Sequence, residues 1–264
     1  MKRQLRTLIN RFPRVKAALR RMLPARGVSS HYVELDDDEA NRESSRLRSA
    51  WQDNDLPARQ RELVDRQLAE YRRGTKIDVF DVLAGAVRGL QDDHQYPLSL
   101  LEIGCSSGYY NEVLQIAGIN ATYRGCDYSE GFIAMARQRY PAVGFDVQDA
   151  TQLNYKDAAF EVVISGCCLL HIPEYATAVA ETSRVSSRYA IFHRTPVLVG
   201  QPNKYFRKLA YGVETVEIHF NEPEFLALMD RCGLQLLGTH TLDENVVQGV
   251  GSATRTYVCQ KKQH

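Results

Sequence analysis

The sequence is poor in several features that would fix a class at once. No two of its six cysteines form a C-x-x-C pair, and no His stands at finger spacing from them, so a structural zinc is not expected. No run of about 18 uncharged apolar residues occurs, so no bilayer-spanning helix is expected. The N-terminus lacks the continuous apolar core of a signal peptide. Residues 1–26 lack acid entirely. With 44% hydrophobic and 25% charged residues, the 264-residue chain is neither collagenous, nor a disulfide miniprotein, nor wholly disordered. It has room for one large domain, or one domain plus a lobe. Most cysteines (105, 126, 167, 168, 232 and 259) fall in apolar, strand-like runs, where Cys acts as a small hydrophobe. A reducing cytoplasm is the expected compartment.

The net charge of +1 conceals a division. Residues 1–26 carry nine Lys/Arg, and the remainder carries 24 Lys/Arg against 32 Asp/Glu. In the basic head, Leu5, Leu8, Ile9, Phe12, Val15, Leu19, Met22 and Leu23 fall on one face at helical spacing, interrupted by Pro13. Such a segment suits peripheral contact with an anionic membrane or docking to a partner. A helix packed on its own domain, a frayed tail and a targeting segment are the alternatives.

Residues 27–55 read as a polar linker, with the acidic run Asp36-Asp37-Asp38-Glu39 and the only Trp, Trp51, near its end as a candidate anchor. Two helical stripes follow over 56–97, one through Leu63, Val64, Leu68 and Tyr71, the other through Ile77, Phe80, Leu83, Val87 and Leu90. Strands are expected at 99–105, 122–127, 143–148, 160–166, 188–195, 234–241 and 255–260. Helices are expected at 108–116, 129–139, 173–184 and 221–232. This alternation implies βαβ units and a parallel sheet. Residues 196–220 form a long connection rich in aromatic and basic residues, a candidate lid.

The most informative run is Leu101-Glu102-Ile103-Gly104-Cys105-Ser106-Ser107-Gly108-Tyr109, a glycine turn closing the first strong strand. In a doubly wound sheet, ligands bind beyond the carboxyl ends of the strands. The turn lacks the Lys of a phosphate loop, and its Gly-x-x-x-Gly spacing departs from G-x-G-x-x-G. Glu102 disfavours a pyrophosphate and suits a ligand bearing an ammonium and a sulfonium. Nineteen residues after Gly108, Asp127 ends the next strand, where an acid accepts hydrogen bonds from ribose hydroxyls. That placement serves a nicotinamide dinucleotide as well.

These residues resemble the first motif of class I S-adenosylmethionine-dependent methyltransferases, with Ser106 at a commonly glycine position. The run Tyr128-Ser129-Glu130-Gly131-Phe132, the acid Asp149 before Ala150, and Phe160-Glu161-Val162-Val163-Ile164-Ser165 extend the resemblance over about 98–195. It implies an α/β fold with a Rossmann-like, seven-stranded, mostly parallel sheet, helices on both faces and an N-terminal helical cap. Residues 98–264 then form the methyltransferase domain. The implied cofactor is S-adenosyl-L-methionine, held by Glu102, Gly104, Cys105, Ser106, Gly108, Asp127, Tyr128, Asp149, Ala150 and Cys167, with Asp149 against the adenine amino group. An NAD(P)-dependent oxidoreductase and a non-catalytic binder of the cofactor remain the alternatives.

Methyl transfer from sulfur is an in-line displacement, so orientation and exclusion of water dominate. An oxygen or nitrogen acceptor must also lose a proton. His171, beyond the fourth strand, is a candidate base, or a structural or substrate-positioning His. His193 and Arg194 end the fifth strand, and Arg194 suits a substrate carboxylate or phosphate, or an internal salt bridge. In the connection, Lys204, Phe206, Arg207, Lys208 and Tyr211 suit a stacking pocket or a solvated helix face. Tyr71 and Arg72 are candidates to close over the cofactor's carboxylate. Ser165-Gly166-Cys167-Cys168 stands where a nucleobase or glutamine N-methylase carries an N-P-P-Y-like tetrapeptide, and no RNA-binding module is visible. The expected acceptor is a small molecule, a glycan or a lipid-linked intermediate, with nucleic acid disfavoured. The resemblance leaves oligomeric state open.

Overall fold

The computed structural model describes residues 29–91, 96–247 and 250–262. The basic head 1–26, with its proposed membrane contact, lies outside the described residues. Ten strands and seven α-helices occur among the residues described. The seven strands expected from the sequence form the central layer as β2 (Leu98–Ile103), β3 (Ala121–Asp127), β4 (Gly144–Val147), β5 (Phe160–Gly166), β6 (Ser186–Leu198), β9 (Leu234–Val247) and β10 (Val250–Lys261). Their order is β4-β3-β2-β5-β6-β10-β9, parallel from β4 to β6, with β10 antiparallel to both neighbours. The apolar runs of β2 and β5 bury both faces, as parallel strands require.

Helices cover both faces. Leu68 of α2 (Leu56–Arg72), Leu83 of α3 (Asp78–Arg88), Val113 of α4 (Tyr109–Ile116) and Ile133 of α5 (Glu130–Arg139) share one core with Leu100 and Ile164. Leu47 of α1 (Asp37–Ser49), Val179 of α6 (Tyr175–Val185) and Phe225 of α7 (Glu222–Arg231) share a second core with Leu101 and Phe192.

Two segments differ from the sequence expectation. The polar stretch 27–55 is folded rather than a loose linker. It contains β1 (Ser29–Leu35), α1 and a 3-10 turn at Ala50–Gln52. Its acidic run starts a helix: the Asp36 side chain accepts from the Glu39 amide at 2.8 Å, and the Glu39 carboxylate accepts from the Asp36 amide at 3.2 Å. Acids in the first turn and Arg46 and Arg48 in the last complement the helix dipole. The expected lid at 196–220 is an antiparallel hairpin of β7 (Lys204–Ala210) and β8 (Val213–Asn221). β1 pairs antiparallel with β7, and β8 runs beside the end of β6 at Val197 and Leu198. This second sheet places residues 204–221 alongside the carboxyl ends of the central strands. Most of their basic groups are spent on ion pairs, Lys204 with Glu34 at 2.8 Å and Arg207 with Glu43 at 3.4 Å.

Candidate active site

A cavity of about 270 Å³ opens at the carboxyl ends of β2, β3, β5 and β6. Its floor is the turn after β2. Gly104 has φ +69°, and a Cβ there would lie 2.4 Å from the Cys168 side chain. Gly108 has φ +71°, and its Cβ would meet the Phe145 ring at 2.6 Å. Both positions therefore need glycine for conformation and for space. Asp127 ties the turn to the end of β3. One carboxylate oxygen accepts from the Ser106 amide at 2.9 Å and the other from the Ser129 amide at 2.9 Å. Burial outweighs these hydrogen bonds and pushes the Asp127 carboxyl up to about 6. Each oxygen retains a lone pair for a further donor.

Of the residues expected from sequence to hold the cofactor, Gly104, Ser106, Asp127, Tyr128, Ala150 and Cys167 line the cavity. Ser106 Oγ is buried there with no hydrogen-bond partner. Glu102, Cys105, Gly108 and Asp149 are not in the lining. Glu102 is 1% exposed beneath the turn and accepts a hydrogen bond from the Tyr123 hydroxyl. Burial raises its carboxyl to about 8, so at neutral pH it is a protonated structural acid rather than a charged ligand contact. Cys105 packs under Gly125. Asp149 is already engaged. Both its oxygens lie 2.7 Å from Arg48 Nη2, and the Thr151 amide and hydroxyl donate to it at 2.8 and 2.7 Å.

The Arg48 pair brings the N-terminal segment over the cavity, a contribution the linker reading did not anticipate. The Tyr128 hydroxyl donates to the Arg48 carbonyl, and the Arg48 guanidinium lies 5.6 Å from the Tyr128 ring centroid. Trp51 packs on His171 with ring centroids 4.6 Å apart and planes tilted by 47°, and its Nε1 is buried without a partner. Gln60, Leu63, Val64 and Gln67 of α2 complete this wall. Trp51 alone carried a hint in the sequence, as the one Trp in a polar stretch. Tyr71 and Arg72 are directed elsewhere, to Asp81 and Glu112.

The three candidate catalytic residues separate. His193 is 1% exposed, outside the lining, with Nδ1 2.8 Å from the Thr256 hydroxyl. It is a core histidine, pushed down to about 3 by burial and by the adjoining Arg194 charge. His171 lines the cavity. Its Nδ1 lies 2.5 Å from the Val216 carbonyl, which fixes that nitrogen as the donor and leaves Nε2 with its lone pair. Burial, aided by the Lys208 charge, lowers His171 to about 3, making it a weak base and a permanently neutral acceptor at pH 7. Arg194 lines the cavity with φ +60°, within β6 just past the last β5 pairing at His193, where the register against β10 shifts. Lys208 also reaches it, but is paired with Glu217, which His219 Nε2 contacts at 2.8 Å.

Backbone strain marks the same place. Among the described residues, six non-glycine positions have positive φ, and Ser106, Cys167, Arg194 and Tyr211 of these line the cavity. Each costs of order 1–3 kcal/mol, and such residues gather where a site over-determines the backbone.

Residues 101–192 match the family described as methyltransferase domain. A probable S-adenosylmethionine-dependent methyltransferase of Mycolicibacterium smegmatis is 32% identical over 143 residues, covering 53% of this chain and 53% of its own. The chain thus spans about half the length of that relative. Ajmaline N-methyltransferase of Rauvolfia serpentina is 30% identical over 104 residues, 36% of this chain and 35% of its own. The structure of magnesium protoporphyrin IX methyltransferase from Synechocystis PCC 6803 with bound S-adenosylmethionine superposes with a TM-score of 0.55 at 16% identity, covering 86% of this chain and 98% of that one. Sheet order, glycine turn and family match together support a class I S-adenosylmethionine-dependent methyltransferase domain over residues 101–192, with S-adenosylmethionine as its cofactor.

Proposed function

We propose that the protein transfers a methyl group from S-adenosylmethionine to an oxygen or nitrogen of a small-molecule, glycan or lipid-linked acceptor. The observation that carries this reading is the Asp127 carboxylate, clamped between the Ser106 and Ser129 amides with lone pairs still open to the cavity. Two vicinal hydroxyls fit those acceptor sites. The unpartnered Ser106 Oγ offers a further hydrogen bond from the turn. The cofactor supplies a methyl already activated by positive sulfur. The chain's part is orientation and exclusion of water. Arg48 and Trp51 close the wall over the crevice, with the Asp149 carboxylate held in place by Arg48. His171, held neutral with Nε2 open, accepts a hydrogen bond from the acceptor hydroxyl or amine and aims its lone pair. With its basicity lowered so far, it orients the nucleophile more than it removes the proton.

All six cysteines are free thiols, which fits a reducing compartment, and we place the protein in the cytoplasm. Among the described residues no helix is long and apolar enough to cross a membrane. Calorimetry with S-adenosylhomocysteine and with NAD tests the reading. Tight S-adenosylhomocysteine binding with none for NAD is expected, and NAD binding alone would overturn it.

A further inference from the structure

Among the described residues three cationic side chains reach the cavity, and two of them are neutralised. Arg48 is paired with Asp149 at 2.7 Å, and Lys208 with Glu217. Arg194 is different. Among the described residues no carboxylate forms an ion pair with it, and the acidic groups that perturb it are the Cys167 thiol and the Tyr110 and Tyr109 hydroxyls. The guanidinium is half-buried and lies against the Tyr110 hydroxyl, and holding it partly out of water without a counter-charge is costly. It is also held on a left-handed backbone, φ +60°, where an L-residue is strained. Both penalties are borne at one position, in a cavity, at the register shift within β6. A ligand anion relieves the first.

The strand order says which ligand. From β4 to β6 the order is β4-β3-β2-β5-β6. A cofactor held by its ribose on Asp127 of β3 would keep its adenosine half on the β3–β4 side of the turn and its methionine half on the β2–β5 side. Arg194 stands one strand further, on β6, beside the β7–β8 hairpin that contributes Lys208, Ala210 and Tyr211 to the wall. That is the acceptor side. Its surroundings are aromatic: Tyr109 and Tyr211 lie within reach of the Arg194 charge, and Trp51 and His171 line the same cavity. One uncompensated guanidinium, with its planar fork of donors, matches one carboxylate better than a phosphate dianion.

We propose that Arg194 is the anchor for a carboxylate on the methyl acceptor, and that the acceptor is an aromatic or similarly planar carboxylic acid methylated at a different atom. The anchored carboxylate is neutralised by the guanidinium and so is not the nucleophile. This rests on the methyltransferase reading above.

Trp51 provides the readout, being the only Trp of the chain and part of the cavity wall. The full chain is saturated with S-adenosylhomocysteine, then titrated with benzoate and 4-hydroxybenzoate and with the corresponding amides, following Trp51 fluorescence. The carboxylates are expected to bind at least about tenfold more tightly than the amides, the scale of a charge-assisted hydrogen bond. In R194Q that preference disappears, in R194K part of it remains, and S-adenosylhomocysteine affinity stays within about threefold of the parent. Carboxylates binding no better than amides, including no response to either, overturn the proposal, and this comparison on the unaltered protein does not depend on the variants folding. If R194Q instead loses S-adenosylhomocysteine but keeps 5′-methylthioadenosine, which lacks the amino-acid part, Arg194 holds the cofactor's carboxylate and the proposal is wrong. Failure of the unaltered chain to bind S-adenosylhomocysteine overturns the methyltransferase reading itself.

Discussion

Asp127→Asn isolates the charge of the central carboxylate while keeping its shape. The native side chain receives the Ser106 amide on one oxygen and the Ser129 amide on the other, each at 2.9 Å. An amide side chain keeps one acceptor and turns an NH₂ towards the other N–H. One charge-assisted hydrogen bond is lost, worth about 1.5–3 kcal/mol, and the second is weakened. The ribose hydroxyls lose an ionised acceptor as well. We expect S-adenosylhomocysteine to bind about 30-fold more weakly, or about 2 kcal/mol, by calorimetry at pH 7.5. In the ligand-free protein at pH 7.5 the hydrogen-bond loss is offset by removal of a charge that burial penalises, so the melting temperature should change by no more than a few degrees, at roughly 2–4 °C per kcal/mol for a chain of this size. The pH dependence supplies a second reading. The folded Asp127 is raised to about 6, above its ordinary 3.8. Its contribution to stability is therefore present below 3.8 and lost as pH rises through about 6. Ligand affinity runs the other way, because the hydroxyls need the ionised form, and weakens as pH falls below about 6. Asp127→Asn should show no such step. Affinity of the variant within about threefold of the parent, together with no step near 6 in the parent, would refute the ribose assignment.

Four further outcomes follow from the same geometry. Glu102→Gln should cost under about 1 kcal/mol at pH 7, since burial already keeps the carboxyl protonated. In the parent, stability from Glu102 is present below 4.5 and lost as pH rises through about 8, and denaturant titrations of the Gln variant should lack that slope. Gly104→Ala combines a left-handed backbone with a Cβ 2.4 Å from Cys168 and should lower stability by about 2–4 kcal/mol; an unchanged melting temperature counts against the tight turn. His171 should remain neutral to at least pH 4 by imidazole nitrogen NMR, and a midpoint near 6.5 would restore it as an ordinary base. Arg48→Ala removes the contact that closes the N-terminal segment on Asp149, so amides of 37–52 should lose hydrogen-exchange protection while the strand β2 keeps its own.

The central sheet was legible because both its signals are local. Strands such as Leu98–Ile103 are apolar runs bounded by turn residues, and the helices between them carry stripes at helical spacing. The glycine turn was legible because close approach leaves a compositional trace at Gly104 and Gly108. The linker reading failed for a physical reason. Asp36 to Glu39 looks like a solvated acidic run when counted by charge, but the spacing of Asp36 and Glu39 is that of a reciprocal helix cap. The hairpin at 204–221 was hidden because its polar residues are satisfied by partners far away in sequence, Lys204 by Glu34 and Arg207 by Glu43. Long-range pairing of that kind leaves no periodicity in either segment.

The same distinction explains the site. Gly104, Ser106 and Asp127 could be placed from spacing because their roles belong to the backbone turn they share. Glu102 and His193 could not, since both stand in motif positions yet are turned into the core, where burial neutralises them. Asp149 stands correctly in the sequence, but its carboxylate is oriented by an arginine 101 residues away. Charge compensation is thus the property that sequence position does not encode. It is also what separates the crevice's cations: Arg48 and Lys208 find their counter-ions in the N-terminal segment's closure and in the hairpin, and Arg194 finds none among the described residues. A fold that satisfies its other two cavity cations within itself, and strains the backbone at the third, has left that one charge for what enters the cavity.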